Sequence, residues 1–559
     1  MKYIDKISAL MLSAVLTSCS FLDFDETQGL KSKDDMYKYY NSIEQMLSNV
    51  YSYMPDELKA SVMRDCGSDD AENGNSSSAY QYFNNGSWSA VNTVDDSWTL
   101  YRGIRAANGF IEEVAEVDLS RYEHNASYDN WMKKLAFFPY EARVLRANYF
   151  FELARRYGDI AMPLEVLEPE QANVIGKTDF ADVIEFIVEE CDTCAKYLPQ
   201  TYQGQPDNQI GRMTKGFAKA LKSKALLYAA SPLHNADSDA AMWKRSASAA
   251  LDIIDDGVYA LDPSDCANTI LSPEVVMVVI GGDSRTFEQK NFPIRFTEGA
   301  RTGATAVFPS QNLVDAFETV GGYKVILTED GWISEDPAFD ATQPYSGRDP
   351  RFYRTVLSDG MSFKGSVIET FEGGLDDAEV TAGGSPTGYF LRRYIQESTS
   401  FTPGNTVTNK HHWIVYRYAE TLLTYAESMA NAFSSDMNYT DSEYPYSALW
   451  ALNQVRANAG MPEVPSCNFE EFMTRLRNEW RVEFAFEDHR FWDIRRWKIA
   501  DQTQRELTGV KILKSESGEK SYYRQVYETR TWTDRMYLYP IPQAELHKNQ
   551  NLYPQNTGW

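Results

Sequence analysis

The strongest constraint on the fold of this chain is a helical period in its apolar residues. Apolar side chains recur at positions i, i+3, i+4 and i+7 in residues 141–157, 214–230, 416–432 and 469–486. This spacing places them on one face of a helix and predicts amphipathic helices that pack on a shared core. Gly158 follows the first segment and is typical of a helix C-terminus.

The helix predicted over residues 214–230 carries a run of small side chains. These are Ala218, Ala220, Ala225, Ala229 and Ala230. Small faces let two helices approach closely, as in the stacked helix pairs of tetratricopeptide repeats. The repeat consensus of about 34 residues does not recur cleanly, so the pattern indicates such pairs without defining their number.

Two stretches depart from the helical pattern. From about residue 260 to 410, turn-forming residues separate short strand-like pieces such as residues 275–280 and 389–394. A second irregular stretch, residues 65–96, is dense in Asn, Ser, Gly and aromatic residues. Long ordered loops in a helical chain commonly carry binding residues, and we expect the functional site there.

The charge of the chain excludes one class of partner. Eighty acidic residues against 54 basic residues give a formal net charge of −26 at pH 7. A nucleic-acid phosphate backbone requires a basic surface, so nucleic-acid binding is not expected. Aromatic residues form 13% of the chain, and their flat apolar faces need either burial or a ligand.

The N-terminus has the pattern of a bacterial lipoprotein signal. Lys2 and Lys6 precede an apolar run over residues 7–16, which is too short to span a membrane. The run ends in Leu-Thr-Ser-Cys, a lipobox whose cysteine is Cys19. The pattern predicts cleavage before Cys19 and attachment of a diacylglycerol to its sulfur.

The other five cysteines do not have the spacing of a disulfide framework or a zinc site. Cys191 and Cys194 form a C-x-x-C, but apolar residues at helical spacing surround them, whereas a thioredoxin-type motif follows a strand. A core-facing helix is therefore predicted, with a local disulfide left open.

Several blocks of this sequence form a set of motifs. Three lie near the C-terminus: residues 452–462, residues 477–497, and the Tyr-Pro-Ile-Pro of residues 539–542 with the terminal Asn-Thr-Gly-Trp. Further blocks lie between Trp98 and Glu420 and include residues 141–143, 156–159, 226–233, 348–352, 387–389 and 417–420. In content and in order, these blocks resemble the SusD/RagB family of outer-membrane nutrient-binding lipoproteins of Bacteroidota.

The resemblance implies a mostly α-helical fold in which tetratricopeptide-like helix pairs scaffold a loop-rich half with short strands. Residues 1–18 would form the signal peptide and residues 19–559 one SusD-like domain. Its N-terminal helical part would extend to about residue 250, and its C-terminal part would begin near residue 260.

The resemblance also implies a function. Family members form lids on SusC-like TonB-dependent outer-membrane barrels, capture oligosaccharide or another nutrient at the cell surface and pass it to the pore. It therefore predicts a lipid-anchored outer-membrane protein that binds a glycan, needs no cofactor and is not an enzyme.

Glu479 and Glu483, one helical turn apart, are the best candidates for a pair of catalytic carboxylates. Two carboxyl groups roughly 5 to 9 Å apart could serve an all-α glycoside hydrolase. Arg477, Arg481 and the basic residues after residue 489 surround them, however, and would hold both carboxylates ionised. The pattern favours a structural ion-pair network.

Other catalytic patterns are missing from the sequence, including G-x-S-x-G, H-E-x-x-H and the phosphate-binding G-x-x-x-x-G-K. The adjacent pair His411 and His412 would point in different directions in any regular structure. We interpret these histidines as hydrogen-bonded surface or interface residues.

A pyranose presents an apolar C–H face and a rim of hydroxyl groups, so its site needs aromatic rings beside polar side chains. The irregular stretch supplies this mixture, and the family resemblance places part of the glycan platform in this loop. The candidates are Asp69, Asp70, Tyr80, Tyr82, Phe83, Asn85, Trp88 and Asn92, with Trp88 as the predicted stacking ring. Second candidates from the later loops are Phe287, Phe292, Phe296, Arg301 and Trp332, whereas Trp98 is assigned to packing.

Two questions remain open from the sequence. The RagB branch of the family handles peptides, so peptide capture is an alternative to glycan capture. The Asp-rich loops also offer the hard oxygen ligands that calcium prefers, so a structural calcium ion is an open alternative.

Overall fold

The structure is a computed structural model, and it describes residues 33–95, 97–203 and 209–559. Cys19 and the predicted signal peptide lie outside the described residues. Within the described part, no helix has both the length and the apolar character needed to cross a membrane.

Nine helices of at least eleven residues form the scaffold of the described chain. They are α1 Tyr40–Tyr51, α2 Leu100–Val114, α3 Phe138–Tyr157, α4 Phe180–Cys194, α5 Lys215–Ala230, α6 Ala240–Asp256, α7 Tyr418–Ala432, α8 Ala448–Asn458 and α9 Phe469–Glu483. The four segments with a helical period correspond to α3, α5, α7 and α9, so those predictions are confirmed.

Short helices lie mostly in the connections. The α-helices among them are Lys33–Met36, Glu57–Ala60, Gln81–Asn85, Tyr128–Leu135, Pro169–Ala172, Thr286–Asn291, Gln311–Val314, Pro350–Thr355, Arg490–Arg496, Ala500–Thr503 and Gln543–Lys548. The 3₁₀ turns are Arg64–Gly67, Ser97–Thr99, Ser120–Tyr122, Ile294–Phe296, Asp534–Tyr537 and Gln550–Leu552.

The long helices pack as a continuous stack. From α2 to α8, each helix packs on the next one along the chain, and α9 packs on α7 and α8. The stack continues from α6 to α7 although about 160 residues of irregular chain separate them, so that insertion lies beside the stack. The fold is therefore mostly α-helical with tetratricopeptide-like helix pairs, as predicted.

Local sequence explains where several of these helices begin and end. The Thr214 hydroxyl accepts a hydrogen bond from the Phe217 amide and caps α5. Helix α6 ends at Gly257, whose φ of 61° is the left-handed conformation that glycine adopts without strain. The small residues of α5 are buried between α4 and α6, where they allow close packing.

The strands are short and pair in twos. They are β1 Ala71–Glu72, β2 Val275–Ser284, β3 Phe308–Pro309, β4 Val325–Thr328, β5 Gly331–Ser334, β6 Val356–Ser358, β7 Ser362–Phe363, β8 Ser366–Val367, β9 Tyr389–Leu391, β10 Asn409–Arg417, β11 Glu506–Lys514 and β12 Lys520–Thr529. The antiparallel pairs are β1–β3, β2–β10, β4–β5, β6–β9, β7–β8 and β11–β12. Strands predicted near residues 275 and 389 are present as β2 and β9.

The C-x-x-C lies on α4, as its helical setting predicts. Cys191 and Cys194 are both buried and free. Burial raises the pKa of each thiol, to about 12 for Cys194. Both residues therefore act as apolar core residues.

Candidate functional site

A groove of about 750 Å³ opens where the two irregular stretches of the sequence meet. Its volume lies in the range of ~300–1,000 Å³ that is usual for small-molecule sites. Its lining combines small polar and small apolar side chains with the longer Gln289, Lys290 and Arg301, and it contains no aromatic ring and no carboxylate. The lining residues are Ala60, Val62, Asn73, Gly74, Asn75, Ser76, Ser78, Gln289, Lys290, Ala300, Arg301, Thr302, Gly303, Ala304 and Ala306.

The first wall of this groove, residues 73–78, is held in shape by its own amides. The Asn73 side-chain oxygen accepts from the Asn75 amide at 2.9 Å, and its nitrogen donates to the Ser78 hydroxyl at 3.2 Å. The Asn75 oxygen in turn accepts from the Ser77 amide at 3.1 Å. These bonds make a compact turn that leaves Asn75 and Ser76 exposed to the groove.

The second wall, residues 289–306, is fastened by Arg301. Its guanidinium donates to the carbonyl oxygens of Gln289, Lys290 and Phe292 at 3.0, 2.6 and 2.8 Å, and to the Thr305 hydroxyl at 2.8 Å. Two of these hydrogen bonds tie the loop after residue 297 to the short helix Thr286–Asn291, a third reaches Phe292 directly after that helix, and the fourth stays within the loop. The wall is therefore rigid where it borders the groove.

The two walls touch at Gly74. A Cβ atom at this position would collide with the carbonyl oxygen of Thr305 and with the ring of Phe308. The pairing of β1 with β3 brings the two loops to this distance. Glycine is required here because the backbones approach so closely.

The prediction that Trp88 is the stacking ring is wrong. The side chain is 1% exposed and makes edge-on contacts with Phe83, Tyr539 and Trp559, at centroid distances of 4.8, 4.8 and 5.0 Å. Tyr539 and Trp559 lie at the far end of the chain, so the residues around Trp88 in the sequence do not indicate that it is buried. Trp88 is a core residue.

Asp69 and Asp70 are also buried rather than available to a ligand. Asp69 receives two hydrogen bonds from Arg490, at 2.8 and 2.9 Å, and Asp70 pairs with Arg481 at 2.6 Å. Burial would raise the pKa of Asp69, but Arg481 and Arg490 outweigh it, and the pKa lies below its ordinary range. Both carboxylates hold the loop to the helices after residue 480.

The remaining candidates of the early stretch lie away from the groove. Phe83 is buried, and half-buried Tyr80 and Tyr82 pack against the core. Asn85 and Asn92 are exposed, but they hydrogen-bond within their own turn, to the amide and the carbonyl of Ser87.

Only Arg301 of the later candidates lines the groove. Phe287, Phe292 and Trp332 are buried, and Trp332 packs edge-on against Tyr345. Phe296 is half-buried between Phe363 and the Arg295 guanidinium. These rings fill the small cores of the loop-rich half and are not available for stacking on a sugar.

The sequence reasoning missed most of the residues that line the groove. The missed polar residues are Asn73, Asn75, Ser76, Ser78, Gln289, Lys290 and Thr302. The signal that pointed to them was the run of Asn, Ser and Gly in residues 73–78, which indicates an exposed turn. This run contains no aromatic residue, so the expectation of an aromatic platform did not point to it.

Two further cavities lie away from the groove and could also hold a small molecule. One of about 860 Å³ lies between α1, residues 209–212 and β2. A narrower cleft of about 290 Å³ is lined by the half-buried rings of Trp98 and Tyr101 with Asn173. Trp98 packs on the core at Tyr157, as predicted, and also borders this cleft.

Glu479 and Glu483 lie in a buried ion-pair network, which confirms the structural interpretation. Arg351 contacts both, at 2.5 and 2.7 Å, and their side chains are 0% and 5% exposed. Burial raises the pKa of Glu479. Burial also acts on Glu483, but Arg417 and Arg351 outweigh it and lower its pKa. A glycosidic bond cannot reach either carboxylate.

The histidine pair is placed differently from its prediction as surface or interface residues. His411 and His412 are both buried because β10 pairs with β2 inside the protein, and His411 Nε2 lies 2.7 Å from Glu288. No group of three or more His, Cys, Asp or Glu side chains in the described residues is arranged to hold a metal ion.

Two family models match the sequence. The model of the SusD family matches residues 273–559. A model described as starch-binding and associating with the outer membrane matches residues 20–227. The chain belongs to the SusD family. The family is one of carbohydrate-binding proteins associated with the outer membrane.

Individual relatives agree with this assignment. SusD-like protein P2 of Formosa agariphila is 22% identical over 428 residues, which cover 75% of this chain and 73% of that protein. A crystal structure of a SusD-like protein from Bacteroides fragilis has a TM-score of 0.77 and 25% identity, and covers 94% of this chain and 99% of that one.

Two further solved structures share the fold. A SusD-like carbohydrate-binding protein of B. fragilis has a TM-score of 0.72 at 23% identity and covers 93% of this chain and 100% of its own. A laminarin-binding SusD-like protein has a TM-score of 0.58 at 21% identity and covers 93% of this chain and 99% of its own. The fold extends over nearly the whole chain.

Proposed function

We propose that this protein captures a glycan at the cell surface in the groove between residues 73–78 and 289–306, and delivers it to a SusC-like TonB-dependent transporter. The observation that carries the proposal is the groove itself, because it joins the two loop stretches of a chain that belongs to a carbohydrate-binding family.

The lining of the groove suits hydroxyl-rich ligands. Ser76 and Thr302 offer hydroxyl groups whose side chains make no hydrogen bond within the described residues, and Asn75 offers an amide. Each can donate to and accept from sugar hydroxyls. Ala300, Ala304 and Ala306 add small apolar surface to the second wall, against which a sugar C–H face can lie. Without an aromatic platform, we expect dissociation constants in the ~μM to mM range.

Weak binding is compatible with delivery, because the ligand must leave the groove to enter a pore. In this proposal the protein is anchored in the outer membrane by a diacylglycerol on Cys19, and it works as a lid on the barrel. The burial of Glu479 and Glu483 supports a binding role without catalysis.

Isothermal calorimetry against a panel of plant, fungal and host-mucin oligosaccharides tests glycan capture, with reducing sugar measured in each cell. Ala304→Trp places an indole in the groove, and we expect it to abolish saturable heat. The matched control is Ala172→Trp, an exposed alanine of the Trp98 cleft, which we expect to bind as wild type does.

The outcomes separate the alternatives. Loss of binding in Ala172→Trp but not in Ala304→Trp would move the site to the cleft. If the wild-type protein gives no binding heat with any glycan but gives saturable heat with peptides, the proposal of glycan capture is replaced by peptide capture. Release of reducing sugar would contradict a purely binding role.

Gentle solubilisation of outer membranes tests delivery. We expect the wild-type protein to co-purify with a large β-barrel partner, and Cys19→Ala to be lost from the membrane fraction. Recovery of the wild-type protein without a barrel would contradict the transporter complex.

A further inference from the structure

The groove differs in charge from the rest of the protein. The whole chain carries 80 acidic and 54 basic residues, whereas the lining of the groove contains Lys290 and Arg301 and no acidic residue. In a chain with a net charge of −26, a cavity with only positive side chains is a local reversal of sign.

Neither cation has a carboxylate partner. Lys290 is exposed, and its ammonium group makes no ion pair within the described part of the chain. Arg301 donates to three carbonyl oxygens and one hydroxyl, none of which carries a charge. Burial lowers the pKa of Arg301 to about 10, so the group remains positively charged at neutral pH.

The acidic residues next to these loops face elsewhere. Glu288 lies 2.7 Å from His411 and accepts from the Gln396 amide. Glu298 accepts from the Thr402 hydroxyl and the Phe401 amide. Glu72 pairs with Arg530 and accepts from Gln81. Each of these carboxylates is bound to a partner outside the groove lining, and none of them pairs with Lys290 or Arg301.

The two cations differ in how they can act. The two terminal nitrogens of Arg301 are occupied by protein acceptors and its Nε is buried, so its contribution is a fixed positive charge in a partly desolvated wall. Lys290 lies on the same wall with a flexible and exposed ammonium group. A negative group in the groove could contact Lys290 directly while the charge of Arg301 lies behind it.

We propose that the glycan captured in this groove carries anionic substituents, either carboxylate or sulfate, and that Lys290 binds the anionic group. This inference rests on the proposed function and names the class of its ligand. The net charge of −26 opposes non-specific binding of such a glycan to the protein as a whole.

Matched ligands test the charge directly. Oligomers of galacturonic acid are compared by calorimetry with their methyl esters, which have nearly the same shape but no carboxylate. A sulfated oligosaccharide is compared with its desulfated form in the same way. We expect at least one charged form to bind roughly tenfold more tightly than its uncharged partner, as for loss of one charge-assisted contact.

Variants and salt show where the charge acts. We expect Lys290→Gln to weaken binding of the charged form roughly tenfold and to leave the uncharged form unchanged. Lys133→Gln, the same change on an exposed lysine of the helix Tyr128–Leu135, serves as the control and should have no effect. Raising the salt concentration should weaken the charged form only, because exposed charges are screened.

The results also separate this inference from the proposed function. Equal binding of charged and uncharged forms, lost in Ala304→Trp, would overturn the anionic ligand and leave glycan capture intact. Absence of binding by every glycan would overturn both. Tighter binding of the charged ligand in the carboxylate comparison or in the sulfate comparison supports the inference and identifies which anionic group Lys290 binds.

Discussion

Basic side chains occur in two opposite settings in this protein. In the buried network around α9, Arg351, Arg417 and Arg456 each contact at least two carboxylates. In the groove, Lys290 and Arg301 have none. The first set joins elements from distant parts of the chain, whereas the second set leaves positive charge facing a cavity.

The comparison shows that the role of a basic side chain depends on whether a carboxylate pairs with it. A buried arginine whose carboxylates are in place stabilises the fold, and removing it leaves buried negative charge without enough counter-charge. An unpaired cation at a cavity adds little stability and remains available for a ligand. The predictions below test this division, from the largest expected effect on stability to the smallest.

The largest effect is expected at Arg417, which is 3% exposed and pairs with Glu274, Glu483 and Glu487 at 2.6 to 2.8 Å. Arg417→Met should lower the free energy of unfolding by about 4 kcal/mol, because buried Glu274 loses its counter-charge and Glu483 and Glu487 each keep only one basic partner, Arg351 and Arg393. Urea unfolding monitored by circular dichroism measures the change. The control is Arg245→Met, which breaks an exposed pair with Glu185. Similar losses in the two variants would contradict the division.

Trp88→Ala removes a buried core ring that the sequence had predicted to stack on the glycan. We expect a loss of about 3 kcal/mol in the free energy of unfolding, as for other large aromatic deletions. The dissociation constant of the glycan should not change in the protein that remains folded. Calorimetry at a temperature well below the unfolding midpoint measures it, and a lost glycan signal in folded Trp88→Ala protein would restore Trp88 as a ligand contact.

The buried network should also respond to acid. Burial alone would raise the pKa of Asp488, but Arg64, Arg155 and Arg156 outweigh it and lower the pKa to about 2, from the ordinary 3.8. Above pH 4 the carboxylate is ionised in both states. Between pH 4 and pH 2 the unfolded chain binds the proton first, so this contribution to stability is lost as the pH falls.

The measurement is the difference in unfolding free energy between wild type and Asp488→Asn. It should shrink by about 2 kcal/mol from pH 4 to pH 2. The difference between wild type and Lys290→Gln should stay constant over the same range, because that substitution removes no paired carboxylate. A constant difference for Asp488→Asn would show that its ion pairs do not stabilise the fold.

The smallest effects are expected in the groove. Arg301→Lys keeps the charge but cannot reproduce the four hydrogen bonds of the guanidinium, and it should lower the free energy of unfolding by about 1 kcal/mol. Lys290→Gln should change it by less than ~0.5 kcal/mol. Thermal unfolding measures both, and limited proteolysis of residues 298–306 reports whether the loop has loosened. A large loss in Lys290→Gln would mean that this lysine has a structural role.

Much of the fold could be predicted from the sequence because the relevant information is local. The apolar period of residues 141–157 is sufficient to predict α3, and the setting of Cys191 and Cys194 is sufficient to place them on a helix. The blocks near the C-terminus pointed to the family that the comparisons show. Helical period and family motifs are each contained in a short run of residues, so no long-range contact is needed to recognise them.

The candidate site was predicted only in part. The two loop stretches that form the groove were identified, and Arg301 was among their candidates. The aromatic rings were not placed correctly, since the composition of a loop does not tell which of its side chains turn inward. Tyr539 and Trp559 bury Trp88 from about 450 positions away, and Arg481 and Arg490 bind Asp69 and Asp70 across more than 400 positions.

The sequence by itself determined the helices with a clear apolar period, the loop-rich segments, the family and the acidic balance of the chain. Only the tertiary structure decided which charges are paired and which rings are buried, because both depend on contacts between residues far apart in the chain. Arg351 and Arg417 lie in blocks that match the family, but the type of a basic residue does not tell whether the fold gives it several carboxylate partners. Lys290 and Arg301 differ from these two in whether the fold brings a carboxylate to them, and this difference separates a binding surface from a structural core.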